Sequence, residues 1–363
     1  MTDIAVIGAG ISGLVCAQRL RQAGYSVVVV EKSRGVGGRV ATRRLQGTCA
    51  DHGACYLQPK GELFSKFVDL WQNLQVIKVW TDIVYEFSAS GGIAEPANRS
   101  PRYIAPEGMS SIAKFFTPGL EILFNQRVIT INPTKENTWC LILESNEHLT
   151  AKALVVAIPA PQAGDLLTPL GANLLGAEFL KNLHSVEFNP CISVMAGFSA
   201  NSQPLPYWQA LTFNDHTDLA WIGFDSSKRP QSQQPHFVLQ SSAGLAEQHL
   251  ETPDLQPVGN YMLQKAAEDL ALPWLENPEW MQIHRWRYAF PRTPLDIACL
   301  SANTSLPLVC CGDWCGGNLV AGAMVSGLAA ADEIDNQLRH IIPQNLDFLD
   351  LLKGFLTNSF TTN

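Results

Sequence analysis

The sequence predicts an α/β fold in which a domain with a parallel sheet is interrupted by an inserted α+β domain with an antiparallel or mixed sheet. Residues 4–30 follow the order strand, glycine-rich turn, helix, strand, which is typical of a parallel sheet. Short apolar strands of the same kind recur far along the chain, at 153–158 and 309–313. Between 162 and 279, clusters of Pro, Gln and Ser alternate with strand-like runs, which indicates the inserted domain. The 363 residues suit two domains of about 150 residues each.

The composition is that of a globular protein without a nucleic-acid or membrane partner. Hydrophobic residues make up 46% and charged residues 16% of the chain, and the formal net charge is −8. No basic run is present, so neither nucleic acid nor an anionic membrane is an expected partner. No apolar window of about 18 residues occurs, so no membrane span is expected.

The cysteine pattern predicts a reducing compartment. Nine cysteines without a repeated spacing do not form a disulfide framework. The chain opens directly on a strand and shows no secretory signal, so the expected location is cytoplasmic. The Cys311–Cys315 spacing is not that of a zinc site, and no metal is expected.

The strongest motif is the glycine-rich turn between the first strand and the first helix. Gly8 permits a tight turn, Gly10 allows a diphosphate to approach the backbone, and Gly13 allows the helix to pack closely on the strand. Ile11 and Ser12 begin the helix, whose free N–H groups attract phosphate. The unit is therefore predicted to be a Rossmann-type dinucleotide-binding unit.

The segment after the second strand favours FAD over NAD as the bound dinucleotide. Glu31 ends that strand, where a carboxylate accepts hydrogen bonds from ribose hydroxyl groups in either NAD or FAD. Residues 32–39 then contain three glycines, and a loop of this kind can cover the dinucleotide while Arg39 neutralises phosphate charge. The alternative is a solvated basic loop. We expect FAD, with Lys32, Gly38 and Arg39 among its contacts.

The motifs together resemble a known group of flavoproteins. Residues 6–14 (VIGAGISGL) and 31–39 (EKSRGVGGR) resemble the FAD-dependent amine oxidase superfamily, which includes monoamine oxidases, protoporphyrinogen oxidase and carotenoid desaturases. A finer similarity, to the renalase family and its bacterial members in particular, is carried by residues 32–44, 51–57, 155–162, 284–291 and 311–327. The resemblance implies an amine-oxidase-like fold with an FAD-binding domain and an inserted substrate domain.

The resemblance also implies further FAD contacts. Val128 is expected at the adenine, and Gly312 with Asp313 at the ribityl chain. The helix that follows carries Val320 and directs its N-terminus toward the isoalloxazine ring. A covalent link to Cys315 is conceivable, but non-covalent FAD is expected.

The strand at 284–291 is the candidate substrate wall. His284, Trp286 and Tyr288 share one face of this strand, and the arginines between them share the other. Aromatic walls and an imidazole suit a flat ligand above a flavin, whereas the alternative is an ordinary core strand. The resemblance places these three residues and Tyr56 on the substrate side of the flavin.

The resemblance implies oxidation of the isomeric 2- and 6-dihydro forms of NAD(P)H to NAD(P)⁺. The hydride is expected to pass to FAD N5, and O₂ is then reduced to H₂O₂. Such a donor needs no strong general base, and the sequence contains no obvious triad or paired-carboxylate motif. The expected partners are therefore a small-molecule substrate, a nicotinamide dinucleotide, and O₂.

Three alternatives stay open. An amine or polyene oxidoreductase of the same superfamily would share the FAD residues, although amine oxidases of this kind carry a lysine near flavin N5 and the matched blocks place no lysine there. A non-catalytic FAD-binding protein and a plain NAD-dependent dehydrogenase are the others. The substrate is the least constrained point, because residues 319–321 (LVA) depart from the Arg-Val-Glu of bacterial relatives and Cys55 replaces a frequent glutamine.

The predicted domain boundaries follow from these assignments. The FAD-binding domain is expected at 1–60, 105–162 and 284–342, the substrate domain at 61–104 and 163–283, and a C-terminal tail at 343–363. Within them, residues 121–133 predict one strand, and Ser110 or Ser111 is the predicted N-cap of a helix.

Overall fold

The computed structural model describes residues 1–45, 47–200, 204–229, 231–232, 234–317, 319–338, 341–342 and 348–349. Its strands are β1 (Thr2–Ile7), β2 (Val27–Val30), β3 (Thr42–Leu45), β4 (Thr48–Asp51), β5 (Lys78–Thr81), β6 (Tyr85–Ser88), β7 (Gly92–Ala94), β8 (Arg102–Ile104), β9 (Glu121–Leu123), β10 (Val128–Pro133), β11 (Trp139–Leu143), β12 (His148–Val156), β13 (Phe188–Gly197), β14 (Ala210–Phe213), β15 (Leu219–Gly223), β16 (His236–Ser241), β17 (Trp280–Pro291), β18 (Leu300–Ser301) and β19 (Leu308–Cys310).

The helices are α1 (Ile11–Gln22), α2 (Glu62–Asn73), α3 (Ser110–Lys114), α4 (Ala160–Leu167), α5 (Ala172–Leu175), α6 (Ala177–His184), α7 (Ala243–Gln248), α8 (Gln256–Leu270) and α9 (Leu319–Leu338). Short 3₁₀ turns occupy Thr168–Leu170, Asp225–Lys228 and Pro273–Glu276.

The first sheet contains the parallel strands that the sequence predicts. Its order is β10-β11-β12-β1-β2-β9, with β19 paired to β12 and β18 to β19. β1 pairs in parallel with β2 and β12, and the β2–β9 and β12–β19 pairs are also parallel. The four valines of β2 are all buried, as expected for a strand covered on both faces. The carboxyl ends of β1, β2 and β19 meet at one edge, where the glycine turn, Glu31 and Gly312 follow.

The second sheet forms the body of the other predicted domain. Its order is β17-β13-β16-β15-β14-β6-β7, and every pair is antiparallel except β14–β6. Helix α8 buries Val258, Met262 and Ala266 against this sheet. The predicted combination of an α/β domain with an α+β insertion is confirmed.

Helices cover both faces of the first sheet. α1 and α9 pack on one face, and Gly327 of α9 permits their close approach because a Cβ there would lie 2.3 Å from the Ser12 carbonyl oxygen. α2 joins this core through Phe67 and Trp71. α4 and α6 cover the opposite face.

The predicted domain boundaries do not follow the two sheets at every point. β17 begins at Trp280 and lies in the second sheet, so a boundary at 284 cuts through a strand. α2 lies in the hydrophobic core that contains β1 and β2, and α6 with most of α4 lies in the core on the other face of that sheet, although 61–104 and 163–283 were expected in the substrate domain. We therefore propose that the substrate domain is built around residues 85–94 and 188–291.

Two local predictions are wrong. Residues 121–133 form two strands, because Asn125 adopts a positive φ of 55° between β9 and β10, which lie at opposite edges of the first sheet. Neither Ser110 nor Ser111 caps α3 with its side chain. Instead, the Ser110 amide donates to Thr42 Oγ1 at 3.1 Å, and the Met109 amide donates to Asp51 Oδ1 at 2.9 Å.

The remaining expectations concern the cysteines, the membrane and the tail. All nine cysteines are free thiols. None of the helices in the described ranges combines the length and the hydrophobicity that crossing a bilayer requires. Most of the predicted tail lies outside the described residues; of its described part, Phe348 and Leu349 are buried against the first-sheet core.

Candidate active site

The glycine turn after β1 is shaped by packing. Gly8 has a φ of 101°, and a Cβ there would lie 2.7 Å from the Ala157 carbonyl oxygen. At Gly13 a Cβ would lie 2.1 Å from the Gly8 carbonyl oxygen. Larger residues at these two positions would therefore displace the backbone of the turn.

Gly10 faces open space instead. A Cβ at Gly10 would meet no protein atom within 4 Å. Gly10 is also the N-cap of α1 and offers no capping side chain, so the first-turn amides at Ile11 and Ser12 are not capped by it. Open space in front of an uncapped helix N-terminus fits the diphosphate of FAD.

Glu31 fixes the loops around this space. The buried carboxylate accepts hydrogen bonds from the Ala9 amide at 2.8 Å and from the Ser33 amide at 2.7 Å. A carboxylate has further lone pairs, so a ribose hydroxyl can still donate to it. The Gln126 amide donates to the Glu31 carbonyl oxygen at 3.0 Å, which brings the turn before Val128 to the same end of the site.

The second glycine loop folds back over the first, as expected. The Gly37 amide donates to the Ala9 carbonyl oxygen at 2.9 Å. Gly37 and Gly38 both have positive φ, and a Cβ on Gly38 would lie 3.5 Å from Gly10 Cα. Lys32 and Gly38 are exposed at the surface of this loop.

Arg39 and Asp313 bind each other. Their two hydrogen bonds measure 2.8 Å (Nη1–Oδ2) and 2.6 Å (Nη2–Oδ1). Arg39 Nη1 also donates to the Ala289 carbonyl oxygen of β17 at 3.1 Å. The positive charge of Arg39, which was expected to neutralise phosphate, is thus already paired with a carboxylate. The pair also joins the second glycine loop to β17 and to the segment after β19.

Gly312 and Val320, which were also predicted to contact FAD, lie close to Asp313 in the chain. The Gly312 amide donates to Ser326 Oγ of α9 at 3.0 Å. Val320 is half-buried in the first turn of α9 and packs against the first-sheet core. Burial raises the pKa of Cys315 to about 12, so its thiol is poorly suited to forming a covalent link.

The strand β17 has the predicted two faces. The His284 and Trp286 rings are 4.3 Å apart between centroids. Tyr288 packs edge-on against Phe188 at 5.7 Å, and the Arg39 guanidinium lies 5.8 Å from the same phenyl ring. On the other face Arg287 pairs with Glu251.

His52, which the sequence did not single out, completes this aromatic cluster. Its ring stacks on Trp286 at 5.3 Å and meets His284 edge-on at 4.8 Å. Trp286 Nε1 and Ser193 Oγ both donate to the His52 carbonyl oxygen at 2.8 Å. Two residues further on, the Ala54 amide donates to the Arg39 carbonyl oxygen at 2.8 Å, so the cluster adjoins the second glycine loop.

Both imidazoles of the cluster are neutral at pH 7. Burial lowers the pKa of His52 to about 3, with further lowering from His284 and Arg43. Burial, followed by the Arg43 charge, lowers the pKa of His284 to about 4. The cluster therefore offers neutral hydrogen-bonding groups beside aromatic surface.

Tyr56 lies in a different environment. It is half-buried, the Arg102 guanidinium lies 5.5 Å from its ring centroid, and the Trp221 ring lies at 6.5 Å. Its place on the substrate side of the flavin stays a prediction.

A buried charge network supports the segment before His52, and sequence reasoning missed it. Asp51 Oδ2 accepts from Lys228 Nζ at 3.2 Å and from Arg229 Nη2 at 2.8 Å. Asp225 accepts from the same two cations and lies 3.4 Å from His236 Nε2. The charged cluster at 225–229 is visible in the sequence, but its partner Asp51 is more than 170 residues away.

The fold and this site define a Rossmann-type flavoprotein oxidoreductase. Residues 6–71 match the model of the NAD(P)-binding Rossmann-like domain, and residues 93–335 match that of the flavin containing amine oxidoreductase family. The second match covers most of the chain, and the protein belongs to the flavin containing amine oxidoreductase family. Its cofactor is accordingly FAD, which fits the space at Gly10 and the carboxylate of Glu31.

Solved structures of amine oxidases share the fold. Putrescine oxidase superposes with a TM-score of 0.68 at 15% identity, covering 92% of this chain and 99% of that one. Cyclohexylamine oxidase from Brevibacterium oxydans has a TM-score of 0.68 at 14% identity, covering 93% and 99%.

Curated relatives match over short segments only. L-amino-acid oxidase of Echis ocellatus is 41% identical over 68 residues, which are 18% of this chain and 14% of that protein. 4,4'-Diapophytoene desaturase of Staphylococcus aureus is 33% identical over 89 residues, covering 22% and 18%. The matches span no more than a fifth of these relatives, so the chemistry of the whole protein is a matter for proposal.

Proposed function

We propose that the protein is a renalase-like oxidase that converts isomeric 2- or 6-dihydro forms of NAD(P)H to NAD(P)⁺ and reduces O₂ to H₂O₂. The chemistry that bound FAD supplies is two-electron redox, with acceptance of a hydride at N5 and delivery of the electrons to O₂. In balance, the dihydropyridine loses a hydride, and O₂ gains that hydride and one proton. The predicted FAD contacts at the glycine turn, Glu31 and Asp313 remain part of this proposal.

The observation that carries the proposal is the cluster of His52, His284 and Trp286 next to the Arg39 loop. Its aromatic faces suit a flat pyridine ring. The neutral imidazoles can exchange hydrogen bonds with a carboxamide, which both donates and accepts. Ring stacking and hydrogen bonding together would hold the donor carbon in a fixed position, which is the main contribution that a protein makes to hydride transfer.

The chemistry of such a donor matches the groups present. A dihydropyridine that loses a hydride becomes a cation stabilised by its own nitrogen, so the protein need not remove a proton from it. His52 and His284 then serve to bind and orient the ring, and His284 holds a proton only at pH values of about 4 and below.

The alternative is an amine oxidase, and the fold of putrescine oxidase and cyclohexylamine oxidase favours it. The structure contains a buried lysine, Lys228, but its ammonium is held by Asp51 and Asp225. An ammonium substrate would also meet the Arg43 guanidinium beside His284, and like charges repel. The geometry therefore supports the dihydropyridine better.

Anaerobic reduction of the holoprotein tests the proposal. We expect 2- or 6-dihydroNAD(P) to bleach the visible flavin absorbance within seconds and ordinary NADH to act far more slowly. Admission of O₂ should restore the absorbance and produce H₂O₂ in a 1:1 ratio with the donor oxidised.

Putrescine and cyclohexylamine are the matched comparison donors in the same cuvette. Rapid bleaching by an amine, without any by the dihydropyridines, would assign the amine oxidase instead. A flavin that none of these donors reduces would point to the non-catalytic FAD-binding protein.

A further inference from the structure

We propose that Arg43 forms an anion-binding subsite at the His284 end of the site, for an acidic group of the substrate. Arg43 lies on β3, and its side chain is half-buried. Its Nη2 atom lies 3.4 Å from His284 Nδ1. The inference rests on the proposed function, because it assigns an acidic group to the donor of the same site.

The charge of Arg43 is not balanced by the protein. Within the described residues, no carboxylate oxygen lies within 4 Å of its guanidinium nitrogens. The neighbouring charges are already neutralised, since Arg39 pairs with Asp313 and the cations at 228 and 229 pair with Asp51 and Asp225. A guanidinium cannot lose its proton near neutral pH, so the site keeps one net positive charge.

A second polar group lies beside Arg43. His52 is 4% exposed, and its Nδ1 atom is buried without a hydrogen-bond partner. The His52 ring meets the His284 ring at 4.8 Å, so this nitrogen and the Arg43 guanidinium belong to one cluster. A buried polar atom without a partner costs free energy that a bound ligand can recover.

The ligand chemistry follows from these two groups. A planar, permanently charged fork of N–H donors recognises carboxylate and phosphate, and recognises neutral amides less strongly. In a dinucleotide donor the acidic group would be the diphosphate, whereas in a small pyridine acid it would be a carboxylate. Both sources offer the anionic oxygens that Arg43 requires.

Calorimetry of the FAD-loaded protein tests the subsite without turnover, using ADP-ribose, nicotinate and nicotinamide as probes. We expect at least one of the two anions to bind more tightly than neutral nicotinamide. Arg43→Gln should lower the affinity for that anion by about 10- to 100-fold, as expected for loss of a charged hydrogen bond, and should leave the affinity for nicotinamide unchanged. Tighter binding of ADP-ribose identifies the diphosphate, and tighter binding of nicotinate identifies the carboxylate.

Arg44 provides a matched control on the same strand. Its side chain is exposed, and successive residues of a strand point to opposite faces. Arg44→Gln removes the same charge from the protein but should leave the affinity for every probe at the wild-type level. Arg43→Lys keeps the positive charge and should retain part of the affinity for the anion.

The inference is overturned if neither anion binds more tightly than nicotinamide, or if the two glutamine variants weaken the anion equally. Its failure can be told from that of the proposed function. If no dihydropyridine reduces the flavin but Arg43→Gln still lowers the affinity for an anion and not that for nicotinamide, the subsite stands and the assigned donor is wrong.

Discussion

At the scale of single residues, the site depends on side chains whose surroundings fix their protonation. His52 is buried between Trp286 and His284, with Arg43 nearby. Its neutral state follows from that position, because a protonated imidazole there would lose its hydration and face a second positive charge.

This setting makes the stability of the protein dependent on pH. The pKa of His52 falls from an ordinary 6.5 to about 3 on folding. As the pH drops below 6.5, the unfolded chain binds a proton at this residue and the folded chain does not, so the free energy of unfolding decreases until the pH nears 3. In His52→Gln, the loss of stability between pH 7 and pH 5 should be smaller by about 1–2 kcal/mol.

Urea unfolding at the two pH values, with saturating FAD, measures this difference. The comparison uses the change with pH within each protein, so any general destabilisation by the substitution cancels. A pH dependence identical to that of the wild type would show that His52 is not held neutral.

The sequence predicts some residues of the site and misses others for a physical reason. Gly8, Gly10 and Gly13 can be assigned because backbone geometry within one short turn requires them. Arg39 and Asp313, both predicted to contact FAD, also bind each other across 274 positions of the chain, and no local pattern indicates that pairing. The role of His52 likewise depends on β17, which is far away in sequence.

At the scale of elements, the charge network joins β4 to the 3₁₀ turn at 225–228. Asp51, Asp225 and Lys228 are fully buried, and Arg229 is nearly so. Burial alone would raise the pKa of Asp225, but Lys228, His236 and Arg229 outweigh it and hold that pKa below its usual range. Two carboxylates and two cations balance, so the loss of any one leaves a buried charge unpaired.

This balance predicts the result of a double-mutant cycle. Lys228→Met should lower the free energy of unfolding by about 3–5 kcal/mol, because it leaves one buried negative charge in excess. Adding Asp225→Asn restores the balance between Asp51 and Arg229, and the double variant should be more stable than the Lys228→Met variant. Urea unfolding of the four proteins measures the coupling, and strictly additive losses would contradict the network.

Element boundaries follow local patterns where one segment determines them. The helix predicted to follow Asp313 and to carry Val320 is α9, and the alternating faces of β17 agree with the strand periodicity. Residues 121–133 predict one strand because a loose alternation of apolar and polar residues continues through the turn at Asn125. The caps of α3 could not be found locally, since Thr42 and Asp51 lie on the β3–β4 pair.

At the scale of the whole molecule, the two sheets meet at the second glycine loop, which carries Arg39. The Arg39 side chain contacts β17 of the second sheet and Asp313 beyond β19 of the first. The sequence predicts both sheets because strand periodicity and the glycine motif are local properties. The domain to which α2, α4 and α6 belong stays a matter of proposal, because the sheet on which a helix packs depends on tertiary contacts that no local pattern indicates.

We propose that the turn at Gly10 and the N-terminus of α1 hold the diphosphate of FAD. Two glycine variants separate binding from folding. Gly10→Ala adds a methyl group that meets no protein atom, so it should leave the apoprotein stable and lower its affinity for FAD by about tenfold or more. Gly13→Ala adds one that clashes with the Gly8 carbonyl oxygen, so it should destabilise the apoprotein itself by about 1–3 kcal/mol.

Calorimetric titration of the folded apoprotein with FAD is the most direct measurement. We expect the wild type to bind one FAD per chain, with the absorbance of a bound flavin. We expect Gly10→Ala to bind FAD at least tenfold more weakly while the stability of its apoprotein is unchanged. A folded wild-type protein that binds no FAD, or a Gly10→Ala variant that binds FAD as tightly as the wild type, would contradict it.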